Sequence, residues 1–231
     1  MPALATLRRA AACLPGATRP QASHPGLACV VARPAGGTVA FLGVPPPMTP
    51  PPPAPLHGLP CPALVVAHPC WPRESFTTQG CYAERWTRFA APPAVLPRLD
   101  APPKGLVLAA FREADGPALE AAVGRASFGL FGDAWTLARH GVALVLLDGG
   151  EVVSAATTVA IADGCAEISV ATRFDSRRRG FARLTAGALL ADCAARGLVP
   201  SWHASSDEST ALALGLGFRG PKTVEVFQRV F

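Results

Sequence analysis

The sequence predicts an α+β protein in three layers, with helices on both faces of a mixed, mostly antiparallel central sheet. Three observations carry this reading. Strand-like and helix-like segments alternate from residue 106 onward; two turns containing glycine join three consecutive strand-like runs; and most of the 25 prolines lie ahead of residue 104. The chain has 231 residues, half of them hydrophobic and 16% charged, which suits a sizeable core and excludes a wholly disordered chain.

Residues 1–103 read as a Pro-rich, irregular N-terminal region, accessory or related to substrate, with short strands at 27–34, 38–44 and 63–69. Gly36-Gly37 would turn the first two into a hairpin. The run PPPMTPPPPAP at 45–55 allows neither helix nor central strand; it suits a semi-rigid linker, with recruitment of a partner domain as the alternative. The cluster CYAERWTRF at 81–89 mixes aromatics with arginines, and either docks this region or lines a substrate pocket.

A second domain, 104–231, follows in the order β-α-α-β-β-β-α-β-α-β. LVLAAF at 106–111 is strand-like, and helices suit 113–125 and 133–140, with Gly141 as a stop. VALVLL, EVVSAATTVAI and CAEISVAT form a meander through the turns at Asp148-Gly149-Gly150 and Asp163-Gly164. Leu184, Ala188, Ala191 and Ala195 give the helical period of a segment over 178–196, and Gly197 ends it. LVPSWHA is the next strand, Ser205-x-x-Glu208 has the spacing of a capping box, and TVEVFQRVF alternates as a last strand.

Composition excludes several partner classes. The formal net charge of +5 is modest and much of it sits in one loop, so no nucleic-acid partner is expected; that loop also lacks interleaved stacking aromatics. Seven cysteines in irregular, unpaired spacing suit reduced thiols in a cytoplasmic protein. The first residues are cut by Pro15 before a signal-length apolar run develops, and no stretch approaches the ~18 apolar residues of a membrane span. His57, Cys61, His68, Cys70 and Cys81 have no tetrahedral zinc spacing, so no metal is expected.

The loop in question is RFDSRRRGFAR, 173–183, with five arginines between a strand and a helix. A helix start offers unpaired N–H groups and the positive end of the helix dipole, so it attracts anions. Gly180 lets backbone approach a diphosphate, Phe181 and small Ala182 open the helix, and Arg177, Arg178, Arg179 and Arg183 supply side-chain charge.

Arg177-x-x-Gly180-x-Ala182 resembles the (Q/R)xxGx(G/A) loop of GNAT acyltransferases. Its setting, AEISVAT before it, then RGLVPSWHA and a helix ending LGLGF, resembles the zwittermicin-resistance-type branch over 165–218. The resemblance implies a GNAT-like sheet with a splayed strand pair and acetyl-CoA as co-substrate. It also implies an N-acetyltransferase acting on a primary amine of a small molecule, with an antibiotic-like or amino-acid-like acceptor and a homodimer both allowed. A noncatalytic GNAT-like module, sensing CoA or docking a protein, is the alternative. By the same resemblance, amides of Val170, Ala171 and Thr172 would face the acetyl carbonyl, and Ser206 and Ser209 would meet the cofactor. Glu167, or His203 on the neighbouring strand, would take the ammonium proton; either can instead be a paired strand residue. Trp202 is read as packing. Four positions depart from the pattern: Arg178 replaces a loop glycine, Ser206 and Glu208 replace asparagines, and Ala213 stands where a tyrosine acid is usual.

Overall fold

The computed structural model describes residues 27–32, 38–42, 63–67, 73–98, 100–162 and 164–229. Strands β1 (Leu27–Ala32), β2 (Thr38–Leu42) and β3 (Ala63–Ala67) occupy the three expected N-terminal segments; the Gly36-Gly37 turn and the proline run lie outside the described residues. β4 is Tyr82–Ala91, so the aromatic and arginine cluster is a ten-residue strand. The chain after residue 104 then gives β5 (Leu106–Ala110), α1 (Gly116–Val123), α2 (Ala134–His140), β6 (Ala143–Asp148), β7 (Glu151–Ala162) and β8 (Cys165–Thr172). After these come α3 (Phe181–Ala195), β9 (Val199–Ser201), β10 (His203–Ala204), α4 (Asp207–Gly215) and β11 (Arg219–Arg229).

Two sheets result. β5-β6-β7-β8-β9 is antiparallel except for its last pair, and β1-β2-β3-β11-β4-β10 is antiparallel except for β2 with β3. The expected 103/104 boundary falls between β4 and β5, yet β4 lies between β11 and β10 in the second sheet, so the sheet runs across it.

Central strands explain their composition. Val142 and Leu146 of the β6 segment face α3, whereas Ala143 and Val145 face Leu119, Phe128 and Leu137 on the opposite side. Burial on both faces is why VALVLL reads as continuous rather than alternating. A 3₁₀ segment at Arg125–Phe131 closes over β7, where Gly129 sits at φ +56° with Val159 so near that any Cβ would collide. The core on the α3 side joins Ile168, Leu189, Leu190, Cys193, Trp202 and Phe218. Burial there pushes the Cys193 thiol up to about 11.

Two local expectations shift. The first helix starts at Gly116 because Glu113–Asp115 forms a 3₁₀ turn, and Gly124 ends it at φ +87°. The N-cap of α4 is Ser206 rather than Ser205: its Oγ accepts the Ser209 N–H at 3.2 Å, which puts Glu208 one position short of a capping box.

Candidate active site

β8 is the element around which the site is built. On one edge it pairs with β7 along its whole length. On the other it pairs with β9 in parallel at only three positions, ending at Glu167 opposite Ser201. Pro200 offers no N–H to that ladder. Trp202 then turns into the core, edge-on to Phe218 at 5.4 Å, and His203–Ala204 leave to pair with Arg88 and Thr87 of β4. Beyond Glu167 the two strands diverge, and no described strand covers that edge of β8.

Which amides face the gap follows from register. The Arg173 N–H donates to the Val153 carbonyl at 2.9 Å, so this pair is a hydrogen-bonded one. Antiparallel alternation then directs Ala171 toward β7 and leaves the N–H and C=O of Val170 and Thr172 on the open edge. Arg177 Nε reaches the Thr172 carbonyl there at 3.3 Å. Of the three expected amides, that of Ala171 is therefore used inside the sheet.

At the fork, Glu167 and His203 meet. Glu167 Oε1 accepts the His203 backbone N–H at 3.0 Å and lies 3.0 Å from His203 Nδ1. Its other oxygen, Oε2, is sealed from solvent with no hydrogen-bond partner. The side chains are 10% and 15% exposed, so the imidazole is the more accessible of the pair. A carboxyl acceptor selects the Nδ1–H tautomer and leaves a lone pair on Nε2.

The arginine loop divides its charges. Arg173 is committed to Asp175 at 2.7 Å and Glu151 at 2.8 Å. Arg183 donates to the Gly215 carbonyl at 2.8 Å and so closes the end of α4. Arg177, Arg178 and Arg179 are exposed, with Arg177 over the Phe174 ring at 5.3 Å and Arg179 over Phe181 at 4.6 Å. Gly180 (φ +81°) is the N-cap of α3, and an added Cβ would meet nothing within 4 Å, so the space above it is open. The first intrahelical bond runs from Leu184 N–H to the Gly180 carbonyl, leaving the N–H groups of 181–183 without helical partners.

α4 faces this loop. Ser209 Oγ accepts the Trp202 indole N–H at 3.0 Å, so that hydroxyl anchors the end of the strand. The Glu208 carboxyl is held below the usual range by its own backbone N–H, the Ser206 hydroxyl and the nearby Arg177 charge.

A hydroxyl chain that sequence reasoning missed ties these parts together. Thr172 Oγ1 lies 2.9 Å from Ser154 Oγ, which lies 3.2 Å from Thr185 Oγ1, which in turn donates to the Phe181 carbonyl at 3.1 Å. It locks the start of α3 to β8. The available signal was polar residues inside two apolar segments, Ser154 in EVVSAATTVAI and Thr185 in α3; both are fully buried.

A family model described as GNAT acetyltransferase matches residues 100–227, more than half of the chain. The chain belongs to this family. An uncharacterized N-acetyltransferase of Bacillus subtilis (strain 168), YdfB, is 34% identical over 84 residues, which cover 36% of this chain and 32% of that relative. The match thus spans well under half of that curated protein. A GCN5-related N-acetyltransferase-like protein from Streptococcus suis 89/1591 superposes with a TM-score of 0.69 at 23% identity, covering 91% of this chain and 86% of its own. A GCN5-related N-acetyltransferase from Kribbella flavida gives 0.54 at 21% identity, covering 72% and 67%. These structures share the fold.

Within the GNAT pattern the departures acquire physical meaning. Ala213 is wholly buried in the core, and the chain's single tyrosine, Tyr82, is exposed and bonded to Gln228 at 2.6 Å. Neither position offers a phenol at the fork. His57, Cys61, His68 and Cys70 lie outside the described residues.

Arg178, in place of the GNAT loop glycine, takes φ +59°, the one non-glycine with positive φ among the described residues. Left-handed backbone costs a side-chain-bearing residue about 1–2 kcal/mol, and glycine forfeits roughly 0.5–1 kcal/mol through the unfolded chain. Arg178→Gly should therefore raise stability by up to about 1.5 kcal/mol, or roughly 3–6 °C in Tm for a protein of this size. A calorimetric scan showing a lower Tm would mean that the arginine is not strained.

Proposed function

We propose that this GNAT protein is an N-acetyltransferase, carrying an acetyl group from acetyl-CoA to a primary amine of a small molecule. The divergence of β8 from β10 just past a Glu–His contact is the observation that carries the reading, because donor, acceptor and proton relay must converge at one point. Within the family, the succession AEISVAT, RGLVPSWHA and LGLGF favours the zwittermicin-resistance-type branch.

The residues present fit the co-substrate. Unpaired N–H groups at the start of a fifteen-residue helix, open space at Gly180 and three exposed arginines suit a diphosphate. The Val170 and Thr172 edge runs from that loop back to Glu167, and its outward N–H groups suit a thioester carbonyl and the oxyanion that develops on it. Ser206, at the start of α4, borders the opposite side of the gap. Bound there, acetyl-CoA supplies the activated acyl group. The protein's task is then to strip a proton from the acceptor ammonium, and His203 Nε2, with Nδ1–H held by Glu167, is the acceptor atom we assign. No phenol is needed to position the reactants, although the leaving thiolate must collect its proton elsewhere. A CoA-binding module without catalysis is the second reading, favoured by the buried Ala213 at the tyrosine position.

Acetyl-CoA at 100 times its Kd should stabilise the protein by about 2.7 kcal/mol, a Tm rise of roughly 5–10 °C. Arg177→Glu combined with Gly180→Asp should abolish that rise. An unchanged rise in the double variant would remove the loop from the site, and no rise in the parent protein would sink both readings. A rise without thiol release from any amine would leave the noncatalytic module.

A further inference from the structure

The register beside His203 carries information about the acceptor, given the acetyltransferase reading above. His203 of β10 is directly opposite Arg88 of β4, and Arg88 is directly opposite Lys222 of β11. Residues directly opposite in antiparallel strands project to the same face, so the three side chains form one row. Their flanking residues confirm which face this is. Phe89 and Trp202 both pack against Phe218 in the core beneath α3, and alternation therefore turns Arg88 and His203 to the opposite face.

The row is polarised. At one end stands the Glu167 carboxyl, bonded to His203. One strand beyond His203 is half-buried Arg88, and one further is exposed Lys222. Among the described residues neither cation meets a carboxylate. Glu84, on the same face of β4, has its Oε2 tied to the Trp86 indole N–H at 2.9 Å, and Glu225 is turned to the other face, paired with Arg73 at 3.5 Å. Trp86 also stands on the Arg88 face, two positions away, and supplies an apolar wall.

We propose that Arg88, assisted by Lys222, binds a carboxylate on the acceptor, so that the substrate is an amino acid or a close amino-carboxylate. Adjacent strands lie about 5 Å apart, so an amine at His203 and an anion at the Arg88 guanidinium are separated by the span of a few bonds. The planar guanidinium matches a carboxylate with two parallel N–H···O bonds, and a half-buried setting strengthens them. Polarity also acts against competitors. A polyamine or a polycationic antibiotic would set its second charge against Arg88 and Lys222.

The test compares α-amino acids with their carboxamides and with the matching 1-aminoalkylphosphonates, following thiol release from acetyl-CoA. The parent protein should favour at least one amino acid over its amide in kcat/KM by about 10- to 100-fold, although the amide has the greater share of free amine at neutral pH. Arg88→Gln should collapse that ratio toward one by raising KM for the acid far more than for the amide. Lys222→Gln, at an exposed position, should reduce it less. Preference for the phosphonate would exchange carboxylate for a phosphate-like group as the ligand and overturn the amino-acid assignment. Amides or polyamines turned over as well as acids, or a ratio indifferent to Arg88→Gln, would overturn the inference and leave the acetyltransferase reading standing. Turnover of no amine at all would overturn both.

Discussion

His203→Ala and Glu167→Gln should each lower kcat by about 10²-fold or more, and the double variant should lose little beyond the more severe single one. Non-additivity follows from the proposed relay, in which Glu167 acts through the imidazole: once Nε2 is gone there is nothing for the carboxyl to orient. Glutamine is an informative replacement. Its Oε1 can still accept both the His203 backbone N–H and Nδ1–H, so ring position is preserved while the charge that would stabilise an imidazolium is lost. Stability should move the other way or not at all. Glu167 Oε2 is buried and unpartnered, and an ionised carboxyl in that setting carries a larger desolvation penalty than the neutral amide that would replace it. Loss of turnover with an undiminished Tm would therefore mark a role in chemistry. If Glu167→Gln were inert while His203→Ala was not, the imidazole would work alone. If the reverse held, the carboxyl would be the base and would need to open from its sealed position. Losses that multiplied in the double variant would separate the two residues into independent roles.

The sequence carried the elements after residue 104 well because their signals are local. Turn glycines at 149–150 and 164, apolar runs of strand length and the arginine loop before a long helix each act within a few residues. Glu167 and His203 were legible as separate candidates, but their contact was not. It depends on β9 pairing with β8 for three residues and then leaving, a tertiary event set by Pro200 and by the burial of Trp202. The hydroxyl chain through Ser154 and Thr185 is hidden for a related reason, since a buried serine announces itself only once its neighbours are known. The strained φ of Arg178 was visible only as a departure from the family glycine. β4 was the largest element missed. Its YAERWTRFAA lacks a clean polar–apolar alternation, because Glu84, Trp86 and Arg88 share one half-buried face while Arg85, Thr87 and Phe89 share the other, which reaches the core at Phe89.

Removal of residues 1–103 should leave a chain that does not fold cooperatively, although the remainder spans nearly all of the family match. β4 is paired with β11 at nine positions and with β10 at two, so deleting it strips a central strand from between two others. Both would then present unpaired backbone and the apolar surface that had covered it. The packing losses compound this. Phe89 is 5% exposed and edge-on to Phe218 at 5.9 Å, and Phe76 stacks on Phe227 at 4.0 Å. Phe89→Ala in the full chain isolates one contribution, with an expected cost of about 3–5 kcal/mol, a large share of the roughly 5–15 kcal/mol that holds a typical domain folded. Urea unfolding measures it directly. The same substitution should depress turnover, because Phe89 donates its N–H to the Trp202 carbonyl at 3.3 Å and its neighbour Arg88 pairs with His203. A soluble 104–231 fragment with a single sharp unfolding transition would show that β4 is an accessory strand laid against a self-sufficient domain. Failure of the fragment, with a steep loss in Phe89→Ala, would mean that the strand holding His203 in place is itself held by the N-terminal region, and that the fork between β8 and β10 depends on a segment outside the matched residues 100–227.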